Sequence, residues 1–218
     1  MSNIRKKWIL LGASRGLGWS TYQELLKREP QSEFLLCSRR VERRLSDIDS
    51  SRTAIQPCDF SKQLEPDFFI SLKKTSPTHI VYFAGGGPYD LYQNKKWTDH
   101  LWCWQTSFLA PAQLIHEVLQ SVDSWPNLQS LTVIGSAVAG KSPDPKAASY
   151  AAAKHALHGL IGSINAEQEA QPKVLLFSPG YMQTELLPAH SEPRLTNRAE
   201  SPDIVAQQLI EYIENSLK

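Results

Sequence analysis

Six short apolar runs, separated by longer stretches most of which are amphipathic and helix-length, recur along this chain and leave little freedom in how it can fold. The runs are Trp8–Leu11, Phe34–Cys37, Thr53–Gln56, His79–Ala84, Ser130–Ile134 and Val174–Phe177. Runs that are apolar throughout, rather than on alternate residues, suit strands in a sheet covered on both faces. Helices are expected over Leu17–Arg28, Lys62–Lys74, Thr98–Ser121, Tyr150–Ala170 and Pro202–Leu217. Strand and helix in alternation imply parallel strands joined by right-handed crossovers. The expected fold class is α/β, a doubly wound six-stranded parallel sheet with helices on both faces. At 218 residues and 41% hydrophobic composition, the whole chain (1–218) is expected to form one domain.

Several function classes are disfavoured by composition. The 23 basic and 22 acidic residues nearly cancel, which argues against a nucleic-acid partner. No run approaches the roughly 20 apolar residues that a membrane span requires. The basic residues near the start are followed by an apolar run that stops at Gly12, which suits a buried strand better than a secretory leader. Cys37, Cys58 and Cys103 show no CxxC spacing, so reduced thiols and a cytoplasmic location are expected, with no metal. His155 and His158 have no evident partner ligand and read as helix-surface or interface residues.

The first strand runs directly into Gly12-Ala13-Ser14-Arg15-Gly16-Leu17-Gly18 and then a helix. Gly12 permits a sharp turn at the strand end, Gly16 close approach of backbone to a ligand, and Gly18 close helix–sheet packing. The unpaired N–H groups and positive dipole end of the helix suit a pyrophosphate, so this loop, with Ser14 and Leu17, is expected to bind a dinucleotide. A triplet of glycines is weak by itself; the strand–turn–helix setting gives it weight, and the fold is then Rossmann-like.

An NAD-binding chain is expected to place an acid about twenty residues beyond this loop, to accept from the ribose 2′-hydroxyl. Here Ser38 and Arg39 stand there instead. A guanidinium pairs with a 2′-phosphate and a hydroxyl donates to it, so Arg39, Ser38 and Arg15 point to NADP(H). Arg40, Arg43 and Arg44 are read as a solvated helical face.

Tyr150 and Lys154 are four apart at the start of a predicted helix, which places them on one face. A phenol titrates near ~10, and a neighbouring ammonium is expected to lower that value. Such a tyrosine can give a proton to a carbonyl oxygen or take one from an alcohol. Ser136 follows the fifth strand, at the sheet end where open α/β folds put their ligands, and can hydrogen-bond the same oxygen.

Taken together, these motifs resemble the short-chain dehydrogenase/reductase family over most of the chain. The glycine pattern is similar to Gly12, Gly16 and Gly18, and the catalytic serine, tyrosine and lysine to Ser136, Tyr150 and Lys154. By the same resemblance Asp59, beside Phe60, contacts the adenine, and Ala84-Gly85 lies along the cofactor. Pro179, Gly180, Met182 and Thr184 hold the nicotinamide carboxamide, and Lys154 also holds the nicotinamide ribose. The activity implied is NADPH-dependent hydride transfer between a small-molecule carbonyl and a secondary alcohol, by a homodimer or homotetramer paired through the helices near 107–121 and 150–170.

Two positions depart from the family pattern. Tyr82 and Phe83 stand where two asparagines usually precede the Ala-Gly, and Ser107 aligns with the helix-borne catalytic asparagine that anchors a relay water. Ser107 keeps an alternative open: an NADP(H)-binding sensor of low turnover. Trp97, Trp102, Trp104, Tyr89 and Tyr92 are candidates for an aromatic substrate pocket, for core, or for an interface. Residues 187–201 are read equally as a flap over the substrate and as a surface loop.

Overall fold

The computed structural model describes residues 5–139, 144–167, 172–189 and 191–218. Its six parallel strands are β1 (Lys7–Leu11), β2 (Glu33–Cys37), β3 (Thr53–Gln56), β4 (His79–Tyr82), β5 (Ser130–Ile134) and β6 (Lys173–Phe177), in the order β3-β2-β1-β4-β5-β6. The helices are α1 (Gly16–Arg28), α2 (Pro66–Lys74), α3 (Trp97–Trp104), α4 (Ala110–Gln120), α5 (Ala148–Glu167), α6 (Glu192–Leu195) and α7 (Pro202–Ser216).

Every strand except β3 feeds two cores, which is why those runs are apolar throughout. From β1, Ile9 and Leu11 join one core with Phe69 and Leu72 of α2, Leu114 and Val118 of α4, and Leu157 and Ile161 of α5. Trp8 and Leu10 join the other, with Tyr22 and Leu25 of α1 and Leu209 and Ile213 of α7. Full burial of one such side chain contributes roughly 1.5–3 kcal/mol.

Three of the differences from the elements read in the sequence have a local cause. The fourth strand ends at Tyr82, because the N–H groups of Phe83 and Ala84 both donate to the Leu11 carbonyl, at 2.7 and 3.2 Å, and turn the chain off the ladder. The second helix begins at Pro66 and not near residue 62, since proline is suited to the first helical turn. The long helix expected over Thr98–Ser121 is broken by a π-helical turn, Gln105–Leu109. The end of the helix expected to reach residue 170 and part of the 139–148 loop lie outside the described residues.

The chain leaves β1 in one direction across the sheet toward β2 and β3, and in the other toward β4, β5 and β6. Leu11 is in register with both Cys37 and Tyr82, so the carboxyl ends of β1, β2 and β4 finish level. Open α/β sheets bind ligands at such a reversal. The functional cleft lies there.

Candidate active site

A cleft of about 610 Å³ opens across the strand ends. Its lining includes Gly12, Ser14, Arg15, Gly16, Leu17 and Gly18 of the glycine loop, together with Ser38, Arg39, Asp59, Phe60, Ala84, Gly85, Ser136, Tyr150, Lys154, Pro179, Gly180, Met182 and Thr184. Of the expected site residues, Ser107 alone is not part of that wall.

At one end, Gly12 has φ +96, and a Cβ on it would come within 2.5 Å of the Ala84 nitrogen. Only glycine permits that turn. Arg15 precedes α1 without a side-chain cap, and the first turn of α1 carries no acidic residue. The positive end of the helix dipole therefore faces the cleft unneutralised. Arg15 pairs with Glu185 across the opening, and Arg39 stands 3.6 Å from Asp59. Burial raises the Asp59 carboxyl, but hydrogen bonds from Ser61 and the charges of Arg39 and Lys62 lower it further, to a net fall. The Ser38 hydroxyl is buried with no hydrogen-bond partner among the described residues.

Arg40 and Arg43 are exposed, as a solvated helical face would be, and together with the half-buried Arg44 they also line the cleft. The segment Val41–Asp47 is a 3₁₀ helix, in which residues three apart eclipse one another, so the three-residue spacing of Arg40 and Arg43 was the available signal. Arg44 also braces the glycine loop: its Nε donates to the Ser14 carbonyl at 2.9 Å, and its guanidinium lies 4.6 Å from the Trp19 ring centroid.

At the other end, Tyr150 and Lys154 share one face of α5, with the Lys154 Nζ 5.5 Å from the tyrosine ring centroid. Lys154 is buried and donates to the Ile134 carbonyl at 2.7 Å. Burial lowers its ammonium to about 8, partly opposed by the Cys103 sulfur. The expected lowering of Tyr150 does not occur here. Burial pushes its phenol up to about 12, and a hydrogen bond from Ser136 offsets this only in part. Behind Ser136, the Ala137 N–H donates to the Pro179 carbonyl at 2.8 Å and ties the β5 end to the segment after β6. In that segment the Thr184 N–H donates to the Met182 carbonyl at 2.8 Å.

Ser107 sits fully buried within the π-helical turn. Its hydroxyl donates to the Gly86 carbonyl at 2.8 Å and accepts from the Gly86 N–H at 3.0 Å. Tyr82 has its own use for this turn, donating to the Thr106 carbonyl at 2.8 Å. Phe60 meets the Tyr82 ring edge-on at 5.2 Å. The sequence reading stopped at Gly85 and missed Gly87, where a Cβ would stand 2.8 Å from the Tyr150 Cβ and 2.9 Å from the Cys103 Sγ.

Among the aromatic residues, Trp102 and Tyr89 line the cleft, while Trp97 is 62% exposed and Tyr92 stacks on His100. Residues 187 and 188 also line the cleft, and α6 forms within the segment that follows. Its Arg194 donates to the carbonyls of Thr184 and Leu187 at 2.6 and 3.0 Å. His155 lies 3.1 Å from the Ala151 carbonyl and His158 3.1 Å from the Ser178 hydroxyl.

The sequence matches the short chain dehydrogenase family over residues 6–194, and the chain belongs to that family of oxidoreductases. No curated protein matches it in sequence. Among solved structures, it is similar to a short-chain dehydrogenase/reductase from Vibrio parahaemolyticus, with a TM-score of 0.76 at 21% identity, over 94% of this chain and 91% of that one. An alcohol dehydrogenase from the archaeon Thermococcus sibiricus, complexed with 5-hydroxy-NADP, gives 0.75 at 19%, over 96% and 91%. BdcA in complex with NADPH gives 0.74 at 20%, over 94% and 85%. At these identities the likeness is one of fold.

Proposed function

We propose that the whole chain, residues 1–218, is a single-domain NADPH-dependent reductase that interconverts a small-molecule carbonyl and a secondary alcohol. The observation that carries this reading is the meeting of Ser136, Tyr150 and Lys154 at one end of a cleft whose other end is the glycine loop. The residues present fit the dinucleotide. The uncapped N-terminus of α1, with no acid in its first turn, suits the pyrophosphate. The unpartnered Ser38 hydroxyl and the arginines 15, 39, 40 and 43 suit a 2′-phosphate, and the absence of an acid at position 38 or 39 disfavours a bare ribose.

Gly12, Ser14, Gly16, Leu17 and Gly18 would hold the pyrophosphate, Asp59 and Phe60 the adenine side, and Ala84 and Gly85 the middle. Pro179, Gly180, Met182 and Thr184 would hold the nicotinamide, which supplies the hydride to the carbonyl carbon. Ser136 would orient the carbonyl oxygen by donating to it. Tyr150, protonated at neutral pH, would pass its proton to that oxygen as negative charge develops. Lys154 would stabilise the resulting phenolate and hold the nicotinamide ribose. Family resemblance supports a cytoplasmic homodimer or homotetramer, and the described residues include no helix long and apolar enough to cross a membrane.

The engagement of Ser107 with Gly86 favours a second reading, an NADP(H)-binding sensor of low turnover, because that hydroxyl has given its one proton to the Gly86 carbonyl and keeps a single lone pair for a relay water, where asparagine would offer two donors and an acceptor. Fluorescence titrations with NADPH and NADH, and assays of Tyr150→Phe, separate these readings. The reductase reading expects tighter NADPH binding, and a variant that binds it normally but turns over roughly a hundredfold or more slower. Turnover unaffected by Tyr150→Phe would remove the tyrosine mechanism, and equal NADH binding would remove the phosphate argument.

A further inference from the structure

Beyond Tyr150 the cleft continues into a chamber with one-sided chemistry. Gly86 lies under Trp102 and Leu186, since a Cβ on it would meet the indole at 2.8 Å and the leucine at 3.3 Å. Tyr89 and Tyr150 pack on Val138, Ala147 and Ala151 from the other side. Tyr181 also lines this wall, and its hydroxyl donates to Asp144 at 2.5 Å. The charges here are few. Lys154 is turned back on the Ile134 carbonyl and Glu185 is engaged by Arg15. Arg198 stands 5.8 Å from the Tyr181 ring centroid and is not part of the lining. Among the described residues, the charges beside Tyr150 are therefore the Lys154 ammonium, directed at the Ile134 carbonyl, and the Asp144 carboxylate, which faces the rest of the molecule.

We infer that this chamber selects a neutral, ring-bearing carbonyl compound, held between Trp102, Tyr89, Val138 and Leu186, and that it rejects carbonyl acids such as 2-oxo acids. Aromatic and branched apolar walls favour a flat hydrocarbon because it leaves water and stacks. A carboxylate would lose its hydration, find among the described residues of the chamber no cation beyond Lys154, whose ammonium is directed at the Ile134 carbonyl, and face the charge of Asp144. The Tyr181 hydroxyl is already committed to Asp144, so it is not offered to a second anion. This assignment rests on the reductase reading for the reacting group, and on the chamber itself for the rest of the molecule.

The test compares two near-isosteric probes, 1-phenylethanol and mandelate, titrated calorimetrically into the protein saturated with NADPH. The expected result is at least about tenfold tighter binding of 1-phenylethanol. Asp144→Asn should narrow that preference, and Trp102→Ala should weaken 1-phenylethanol about tenfold while leaving NADPH affinity unchanged. Mandelate binding as well as or better than the alcohol overturns the assignment, as does the failure of both probes to bind. Turnover of acetophenone is measured separately. Binding of 1-phenylethanol without any turnover sinks the reductase reading and leaves the chamber assignment standing, whereas turnover of phenylglyoxylate in preference to acetophenone sinks the assignment alone.

Discussion

Lys154 is almost wholly buried, and that burial brings its ammonium down to about 8. Between that value and the reference near ~10.4, the unfolded chain binds a proton that the folded chain has released, so this group makes stability rise with pH across that window. Tyr150 acts in the opposite sense. Its phenol stays protonated up to about 12 in the folded chain, so from roughly pH 10 upward the unfolded state ionises first and stability falls. The catalytic consequence concerns the lysine. The pH dependence of kcat/KM reports groups of the unliganded enzyme. For carbonyl reduction, kcat/KM should fall above about pH 8 as the positive charge beside Tyr150 is lost. A profile flat to pH 10 would remove Lys154 from the proton chemistry.

The π-helical turn between α3 and α4 shows how an element is adapted around a site. Such turns are rare and mark places where a helix bends to function. This one brings Ser107 and the Thr106 carbonyl to the site, the first clamping both polar groups of Gly86 and the second receiving the Tyr82 hydroxyl. Ser107→Ala should leave a buried N–H and carbonyl unpaired and cost about 1–3 kcal/mol in denaturant unfolding. An unchanged midpoint would show that Gly86 finds other partners. Gly87→Ala should spare the fold more than the activity, because its new methyl group meets the Tyr150 Cβ and the Cys103 sulfur. Circular dichroism set against turnover separates the two effects, and full activity would mean that α5 yields without displacing Tyr150.

The elements that were legible in the sequence are those fixed by local composition: the apolar strands, the glycine loop with φ +96 at Gly12, and the i,i+4 spacing of Tyr150 and Lys154. What escaped depends on tertiary surroundings. The sequence does not encode where a long apolar helix takes its π turn, since Gln105–Leu109 differs little in composition from its flanks. Nor does it reveal that Arg40 and Arg43 line the cleft, because a solvated helical face does not say which surface it borders. The phenol of Tyr150 was misjudged for a related reason: the nearby lysine is visible in sequence, but the depth of burial that outweighs it is not.

At the scale of the whole molecule, the unpartnered surface lies beside this same helix set. Trp97 and Leu101, four apart on α3, are 62% and 49% exposed, and Leu109 in the π turn is 48% exposed. Both segments pack on α5, whose Gly159 and Gly162 have nothing within 4 Å of an added Cβ. Small residues on one helix beside exposed large apolar ones give a surface on which a second copy can pack closely, and a two-fold arrangement is the commonest way to use one. A stable interface needs about 800 Å² from each partner, more than these side chains alone supply, so the proposed oligomer would also use the exposed face of α5. Sedimentation should therefore give at least twice the 24.5 kDa chain mass. Leu109→Arg combined with Gly162→Arg should reduce it to a single chain without loss of helix content, because both positions point away from either core. A wild-type protein that sediments as a monomer at micromolar concentration would sink the oligomer, and an unchanged mass in the double variant would move the interface to another face.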